Sequence, residues 1–301
     1  MRKLHLLLLP GLAAAAPAMG QDLNLGGPPG APPVPVQISA AQGITWSQDA
    51  QTVTATGGAK AVRGDVTVTA DELVAHYVKK PGASQPPPTG SGTVEGGLDQ
   101  GNAQLTELDA LGHVHIYTAT DNAWGDKAVY SVEQQVLVLT GHDLKLTTPQ
   151  NTVTARDSIE YYAADRKAIA RGNALIVSQD GRSIAADVIT GYFSNPAAGG
   201  AKPAAGASPQ TDESGNLKRV EAIGHVVIKT RTDTVTGDKG VYLPPTGEAR
   251  IGGNVHVIHG PNELAGSDAL INMKTGIATL LAAPGGRVSG VILPGSGKPN
   301  E

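Results

Sequence analysis

The sequence has no cysteine among its 301 residues, and aromatic residues make up only 3% of it. Without cysteine the chain has no disulfide staples, and a lipoprotein anchor, which needs a cysteine at its cleavage site, is excluded. The scarcity of aromatics argues against base-stacking platforms and against a sugar-binding cleft lined with tryptophan. The net charge of −4, from 23 basic and 27 acidic residues, lacks the excess of basic residues that is typical of nucleic-acid-binding proteins. The fold must therefore be held by burial and backbone pairing alone.

The start of the chain is typical of an export signal. Arg2 and Lys3 give a positive beginning, and the apolar stretch from Leu4 to Ala16 is followed by small residues. A transmembrane helix needs roughly 20 apolar residues, and this stretch is shorter. We predict a signal peptide that is cleaved near Ala18 or Gly20 and an exported mature protein.

Composition divides the rest of the chain. A tail rich in proline and glycine is expected at 21–43, and one large domain at 44–293. Two further stretches of Pro, Gly, Ala and Ser, 81–104 and 195–215, interrupt this domain and are predicted to be inserted surface loops. A short tail, 294–301, is expected to close the chain.

An internal repeat is the strongest signal in the sequence. Each copy has a glycine, an alternating apolar run, a polar turn, and an aspartate that precedes a second alternating run. The aspartate follows its glycine by 13 to 16 residues, and the period is about 30 residues once the two insertions are subtracted. The glycines are Gly58, Gly112, Gly141, Gly172, Gly224 and Gly253, and the aspartates are Asp71, Asp126, Asp157, Asp187, Asp238 and Asp268.

Within each copy the apolar residues recur with a period of two, which predicts an all-β protein. Strand units of this length cannot bury a face alone and must stack on their neighbours. Two architectures satisfy this pattern: a closed β-helix with a dry core, and a rolled, partly open sheet or jelly roll with an apolar groove between its walls. The inward set is small and aliphatic, which favours the groove over a filled core.

Four segments, 112–116, 124–130, 153–157 and 223–228, resemble the OstA-type repeat of the LptA/OstA family of periplasmic lipopolysaccharide-transport proteins. That repeat has a Gly-x-Val-x-Ile strand followed by a Gly/Ala-Asp-x-Ala/Leu-x-Tyr strand. The resemblance runs from about Ile44 to Leu293, although no single motif is specific alone.

The resemblance implies a twisted, partly open β-jelly roll built from stacked strand repeats, located in the periplasm. It also implies that the interior binds lipid A acyl chains of lipopolysaccharide. The expected partners are lipopolysaccharide, the inner-membrane and outer-membrane components of the transport machinery, joined by sheet-edge pairing, and a further copy of the chain. The proline-rich insertions depart from the family pattern and leave open which edges join.

The inner face follows from the alternation, because side chains along a strand point to opposite faces. The residues expected to line the apolar side and bind lipid are Val114, Ile116, Ile159, Ile176, Ile189, Val226, Ile228, Val255 and Val257. Arg63, Lys127, Arg156 and Lys239 are candidates for contact with lipid A phosphates, although scattered solvated charge explains most of them.

Other functions fit the pattern less well. Calcium-binding repeats carry closely spaced acids, whereas here one aspartate occurs per copy, which favours an aspartate that opens a strand and bonds local backbone. His113 and His115 lack the further ligands that zinc needs, and a polar outer face explains them. We expect no metal, no cofactor and no catalytic residue. A polysaccharide-acting β-helix enzyme and a structural or adhesive β-solenoid are the alternatives, and the even spread of acids argues against the enzyme.

Overall fold

The computed structural model describes residues 36–79, 103–194, 217–282 and 287–291. All regular structure in these ranges is β-strand, and none of their residues form a helix long and apolar enough to span a membrane. The predicted all-β class is confirmed. The strands are β1 Gln37–Ser39, β2 Gly43–Ser47, β3 Thr52–Arg63, β4 Val66–Lys79, β5 Ala103–Tyr117, β6 Asn122–Ser131, β7 Val136–Thr140, β8 Leu144–Thr147, β9 Asn151–Ala155, β10 Ser158–Tyr162, β11 Lys167–Ser178, β12 Ser183–Phe193, β13 Leu217–Lys229, β14 Asp233–Leu243, β15 Glu248–His259, β16 Asn262–Asn272, β17 Ile277–Leu281 and β18 Ser289–Val291.

The strands form one sheet in which each long strand pairs with any long strand that directly precedes or follows it, and the short strands pair with half of a long strand or with each other. Every pairing between described strands is antiparallel. The successive coils of a β-helix pair in parallel, so the structure decides between the two predicted architectures. The chain is a rolled antiparallel sheet.

Each long strand has a register shift near its middle, and these shifts line up across the sheet. A bulge bends a strand and increases its local twist. In the third repeat unit both long strands are interrupted. β7 and β8 follow each other in place of the first long strand, and β9 and β10 in place of the second. The sheet is therefore folded along a crease that crosses every long strand and passes between the short ones.

The crease divides the sheet into two walls. Wall A contains β2, β7, β10 and β17 together with the halves of the long strands that pair beside them. Wall B contains β1, β8, β9 and β18 with the other halves. Inner-face side chains of both walls belong to one buried cluster, and among the described residues there is no other layer to cover them. The two walls cover each other.

The repeat corresponds to hairpins: in five units the glycine lies on the first strand and the aspartate on the second, and in the third unit both lie between the short strands. At the crease the aspartate of one unit meets the glycine of the next, so that Asp71 lies against Gly112 and Asp187 against Gly224. Asp157 directly precedes β10, as an aspartate that opens a strand would, whereas the other five lie within strands. Asp126 also accepts a hydrogen bond from the backbone N–H of His142. Three of the aspartates bond side chains of the following unit: Asp71 with His113, Asp187 with His225, and Asp238 with Asn254.

In the second to sixth units the glycine is required by both conformation and space, whereas a Cβ at Gly58 of the first unit would meet nothing within 4 Å. Gly224 has φ 81°, and the residue after it, His225, has φ 46°, so that two successive residues adopt the left-handed conformation. A Cβ at Gly224 would also overlap the Asp187 carboxylate. This explains why the two residue types recur together in the sequence.

Two predicted boundaries shift. β1 pairs with β3 and buries Ile38 to 3% exposure, so the sheet begins within the predicted tail 21–43. Ala103 and Gln104, placed in the first insertion, already pair with β4. The insertion 195–215, the signal segment and the C-terminal tail lie outside the described residues. The strands that flank both insertions, β4 with β5 and β12 with β13, all meet their insertion at the rim of wall A.

Candidate functional site

The inner face of wall B carries an unbroken apolar stripe that crosses the sheet from β1 at one edge to β16, beside the other edge strand, β18. Each member is the direct cross-strand partner of the next, and strands in a sheet lie about 4.8 Å apart, so the stripe is roughly 60 Å long. Its residues are Ile38, Ala61, Val68, Ile116, Ala123, Leu146, Val153, Ile176, Ile184, Ile228, Val235, Val257 and Leu264. None of them carries a polar group.

Wall A faces this stripe with smaller and more amphipathic side chains. Near the crease its inner row is alanine, leucine and isoleucine, including Ile159 and Ile189. Near the rim the inner row contains tyrosines, of which Tyr130, Tyr161 and Tyr242 occupy equivalent positions four residues after the aspartate of their units. A tyrosine ring has an apolar body and a polar tip, so it suits a boundary between an apolar interior and water.

All nine residues predicted to line the apolar side lie on the inner face. Eight are buried, with exposures from 0% at Ile116 to 8% at Ile159, and Ile176 is partly buried against the same cluster. Seven belong to wall B, and only Ile159 and Ile189 belong to wall A. The alternation located the inner face, and whether these residues bind lipid stays a prediction.

The interior is most accessible near the middle of the chain. Leu146, Val153 and Ile176 are consecutive members of the wall B stripe, on β8, β9 and β11, and all three are only partly buried. Their counterparts in the earlier and later units, such as Ile116 and Ile228, are 0% and 1% exposed. The last member of the stripe, Leu264 on β16, is again only partly buried.

Arginines from the rim of wall B reach the tyrosine row of wall A. Burial raises the pKa of Tyr130 above its ordinary 10.0, and the charge of Arg63 acts in the opposite direction. Tyr242 shows the same pattern, with burial raising its pKa and Arg182 lowering it. The hydroxyl of Tyr130 is buried without a hydrogen-bond partner in the described part of the chain. Of the four cationic candidates from the sequence, Arg63 is at the mouth, whereas Arg156 is bonded to Asp157 at the crease.

The sheet has two terminal edges. β1 and β2 pair only with β3, and β17 and β18 pair only with β16, within the ranges that the structure describes. Neither β2 nor β17 contains a charged residue. Proteins usually protect an open edge with charges or proline. These two edges have no such protection along those strands.

Each histidine at the crease is paired with one aspartate, and these histidines do not lie together around a common point. His113, His142 and His225 each place Nδ1 within 2.9 Å of the carboxylate of one aspartate. His115 stacks instead on Trp124, with ring centroids 4.9 Å apart. The sequence interpretation missed a different group, His76 with Glu107 and Asp109, because its members are separated in the chain by an insertion and meet only through strand pairing.

Comparison with known proteins confirms the resemblance over part of the chain. Residues 37–167 match the family described as LptA/(LptD N-terminal domain) LPS transport protein. One similar solved structure is the crystal structure of LptH, described as the LptA homologous periplasmic component of the conserved lipopolysaccharide transport device from Pseudomonas aeruginosa. It is 17% identical, with a TM-score of 0.37, and the match covers 48% of this chain and 95% of that one. No curated protein matches the sequence.

Proposed function

We propose that this chain, LptA/OstA-like by its family match, is a periplasmic carrier that shields the acyl chains of lipopolysaccharide between its two walls. The observation that carries the proposal is the wall B stripe, which runs without a polar side chain from β1 at one edge of the sheet to β16, where Leu264 pairs with Gly290 of the other edge strand, β18. A filled structural core needs burial but not a row that reaches both edges. A path for lipid needs both burial and a continuous apolar row.

The energetics explain why such a carrier is required. Exposing an acyl chain to water costs about 0.8 kcal/mol per CH₂, so a chain of about twelve carbons costs roughly 10 kcal/mol. Several chains per molecule cannot cross an aqueous compartment unshielded at useful rates. A stripe of roughly 60 Å holds such chains at many successive positions, and movement along it replaces one apolar contact by another of the same kind.

The rim supplies the chemistry for the headgroup. Tyr130 and Tyr242 lie where the apolar interior ends, with Arg63 and Arg182 opposite them. Guanidinium groups form bidentate, charge-assisted bonds with phosphate. The phosphates of lipid A would therefore lie at the mouth while its acyl chains lie between the walls.

The two open edges supply the contacts to partners. An extended segment of another protein, or a second copy of this chain, adds a strand to β2 or β17 by main-chain hydrogen bonds. Edge-to-edge addition at these strands would extend wall A from one molecule to the next. On this basis the inner-membrane and outer-membrane components of the transport machinery are the proposed neighbours, and the chain forms part of a bridge for outer-membrane assembly.

Site-specific photo-crosslinking tests the cargo. A benzophenone amino acid at Ile176, on the accessible part of the stripe, should capture lipopolysaccharide, and the same amino acid at the adjacent Val177, on the outer face, should not. Ile116 with His115, and Ile228 with Lys229, give the same comparison at buried positions of the stripe. The matched pairs share a strand and differ only in face.

The outcome separates the functions. Capture from the inner members alone supports the carrier. Equal capture from both members of a pair contradicts the assigned faces. If circular dichroism shows that the variants fold and no lipid adduct forms, the carrier function is contradicted and a structural or adhesive solenoid is favoured.

A further inference from the structure

Three potential metal ligands meet on the outer face of wall A, away from the interior. They are His76 on β4 and Glu107 and Asp109 on β5, and one ligand atom from each lies within 4.8 Å of the other two. His76 Nε2 is 3.2 Å from Asp109 Oδ2. All three side chains are partly exposed, so an ion from solution can reach them.

Strand pairing creates the group. His76 lies directly opposite Glu107, and Asp109 is the next residue of β5 on the same face. The register shifts immediately after this pair, where Tyr77 pairs with Leu105 and Thr106 is left over. Thr106 Oγ1 donates to the carbonyl of His76 at 3.1 Å, which fixes the backbone at the shift.

The negative charges of Glu107 and Asp109 are poorly balanced by positive charge among the described residues. The residues that flank the group in register are neutral: Thr52 and Thr54 on β3, and Val129 and Ser131 on β6. Within the described ranges neither Glu107 nor Asp109 forms an ion pair with lysine or arginine, and His76 is the only partner of Asp109. The second oxygen of Asp109 is buried with no donor among the described residues. Two acids two residues apart on one face repel each other unless a cation lies between them.

We propose that His76, Glu107 and Asp109 bind one zinc ion, with water in the fourth position, and that the ion staples β4 to β5. One imidazole and two carboxylates are a ligand set that zinc accepts, and three protein ligands with one open position are common for it. Calcium and magnesium prefer oxygen ligands alone. The crease histidines have one acid each, which leaves them short of a zinc site.

Titration of the full-length protein with zinc chloride, followed by calorimetry, tests the site. The wild type should bind one equivalent, and Ca²⁺ or Mg²⁺ in excess should not displace it. His76→Ala and Asp109→Asn should each weaken that binding by at least about tenfold. His256→Ala is the matched control, because His256 bonds one carboxylate, Glu263, at 2.9 Å and no third ligand joins them among the described residues. This variant should bind zinc like the wild type.

Thermal unfolding gives a second readout that is independent of calorimetry. Zinc should raise the unfolding midpoint of the wild type and of His256→Ala, and should leave that of His76→Ala unchanged. Glu107→Gln keeps the shape of the side chain, so a fold-neutral loss of binding there supports direct ligation. Zinc binding that is absent in the wild type, or equal in wild type and His76→Ala, overturns the proposal.

Discussion

Arg182 Nη1 donates to the main-chain carbonyl of Met273 at 3.0 Å, joining a turn of wall B to a turn of wall A. The arginine follows β11 and the methionine follows β16, so the bond crosses the mouth of the interior between residues 91 apart in the chain. Asp180 holds the guanidinium from its own turn, with 2.6 Å between Asp180 Oδ2 and Arg182 Nε. Nearby, Thr232 of wall B and Gly276 of wall A also approach each other. The hydrogen bond between Arg182 and Met273, which we call the clasp, joins the two rims at this point.

Removing the clasp should let the walls part. Since the chain has no cysteine, cysteines introduced at Arg231 and Thr275, exposed on opposite rims, can be spin-labelled without background. Arg182→Ala should lengthen and broaden the distance distribution between the labels, measured by double electron–electron resonance. The unfolding free energy should fall by only about 1 kcal/mol, as expected for one hydrogen bond.

Arg166→Ala is the matched control for the clasp. Arg166 Nη1 donates to the carbonyl of Ser194 at 3.1 Å, but both residues lie on the rim of wall A. This variant loses the same kind of bond without uncoupling the walls, so its distance distribution should match the parent. Identical distributions in Arg182→Ala and Arg166→Ala would show that the clasp does not hold the walls together.

How far the sequence predicts this structure depends on the range of the interactions. The six units follow from glycine and aspartate, because each pair marks one hairpin and meets its neighbour at the crease. The inner face of wall B follows from the alternation of large aliphatic residues such as Ile116 and Ile228. The clasp does not follow, since it depends on how the twist offsets one wall against the other.

Wall A shows why half of the interior escaped prediction. Its inner rows contain many small residues, such as Ala128, Gly191 and Ala249, which a search for large aliphatic side chains passes over. Its tyrosines were recognised as part of the repeat, but not as a row along the mouth. The His76 group was missed for a related reason: strand register places it, and no local spacing in the sequence marks it.

Glycine at the crease should be intolerant of even one methyl group. Gly224→Ala introduces a Cβ at φ 81° and places it onto the Asp187 carboxylate. The left-handed conformation costs roughly 1–2 kcal/mol, and overpacking adds about 1–3 kcal/mol. Urea unfolding should therefore show a loss of about 2–5 kcal/mol.

Gly181 separates the two contributions. It has φ 84°, but a Cβ there meets nothing within 4 Å, so Gly181→Ala should cost the conformational part alone. In an Asp187→Ala background the cost of Gly224→Ala should fall towards that of Gly181→Ala, because the overlapping carboxylate is gone and only the Cβ at position 187, 3.0 Å away, remains in contact. A cost of Gly224→Ala that is unchanged in that background would show that the aspartate does not fill this space.

His113 should titrate above its ordinary range. Its pKa is raised from 6.5 because Nδ1 shares a hydrogen bond with Asp71 and because the charges of Asp71 and Asp126 favour the imidazolium. The stability that this pair contributes is therefore fully present below pH 6.5 and is lost as the pH rises through the raised pKa. The side chain is 90% exposed, so we expect a shifted titration without a measurable change in the unfolding midpoint.

Proton NMR of the imidazole resonances measures this shift. Asp71→Asn should return the pKa of His113 towards 6.5. Asp238→Asn is the control, because the partner of Asp238 is Asn254 Nδ2, at 2.9 Å, which does not titrate. If Asp71→Asn leaves the titration of His113 where it was, the pair is not what raises the pKa.

The β17 edge should be a joint between molecules. β17 has no charged residue, and Ile277, on its outer face, is 65% exposed, so the strand offers an unprotected template for another strand. Successive N–H groups along a strand point in opposite directions, so one of Ala278 and Thr279 directs its N–H away from β16. Proline at that position should abolish concentration-dependent association in analytical ultracentrifugation while leaving the unfolding midpoint nearly unchanged.

Proline at the other of the two positions is the internal control. It removes a hydrogen bond between β17 and β16 and should lower the unfolding midpoint, because a proline within a ladder breaks that ladder. The two variants differ by one residue and by the direction of the lost N–H, so loss of association in the stable variant assigns the joint to the open edge. Association equal to that of the wild type in both variants would exclude β17 as the joint and leave the β2 edge.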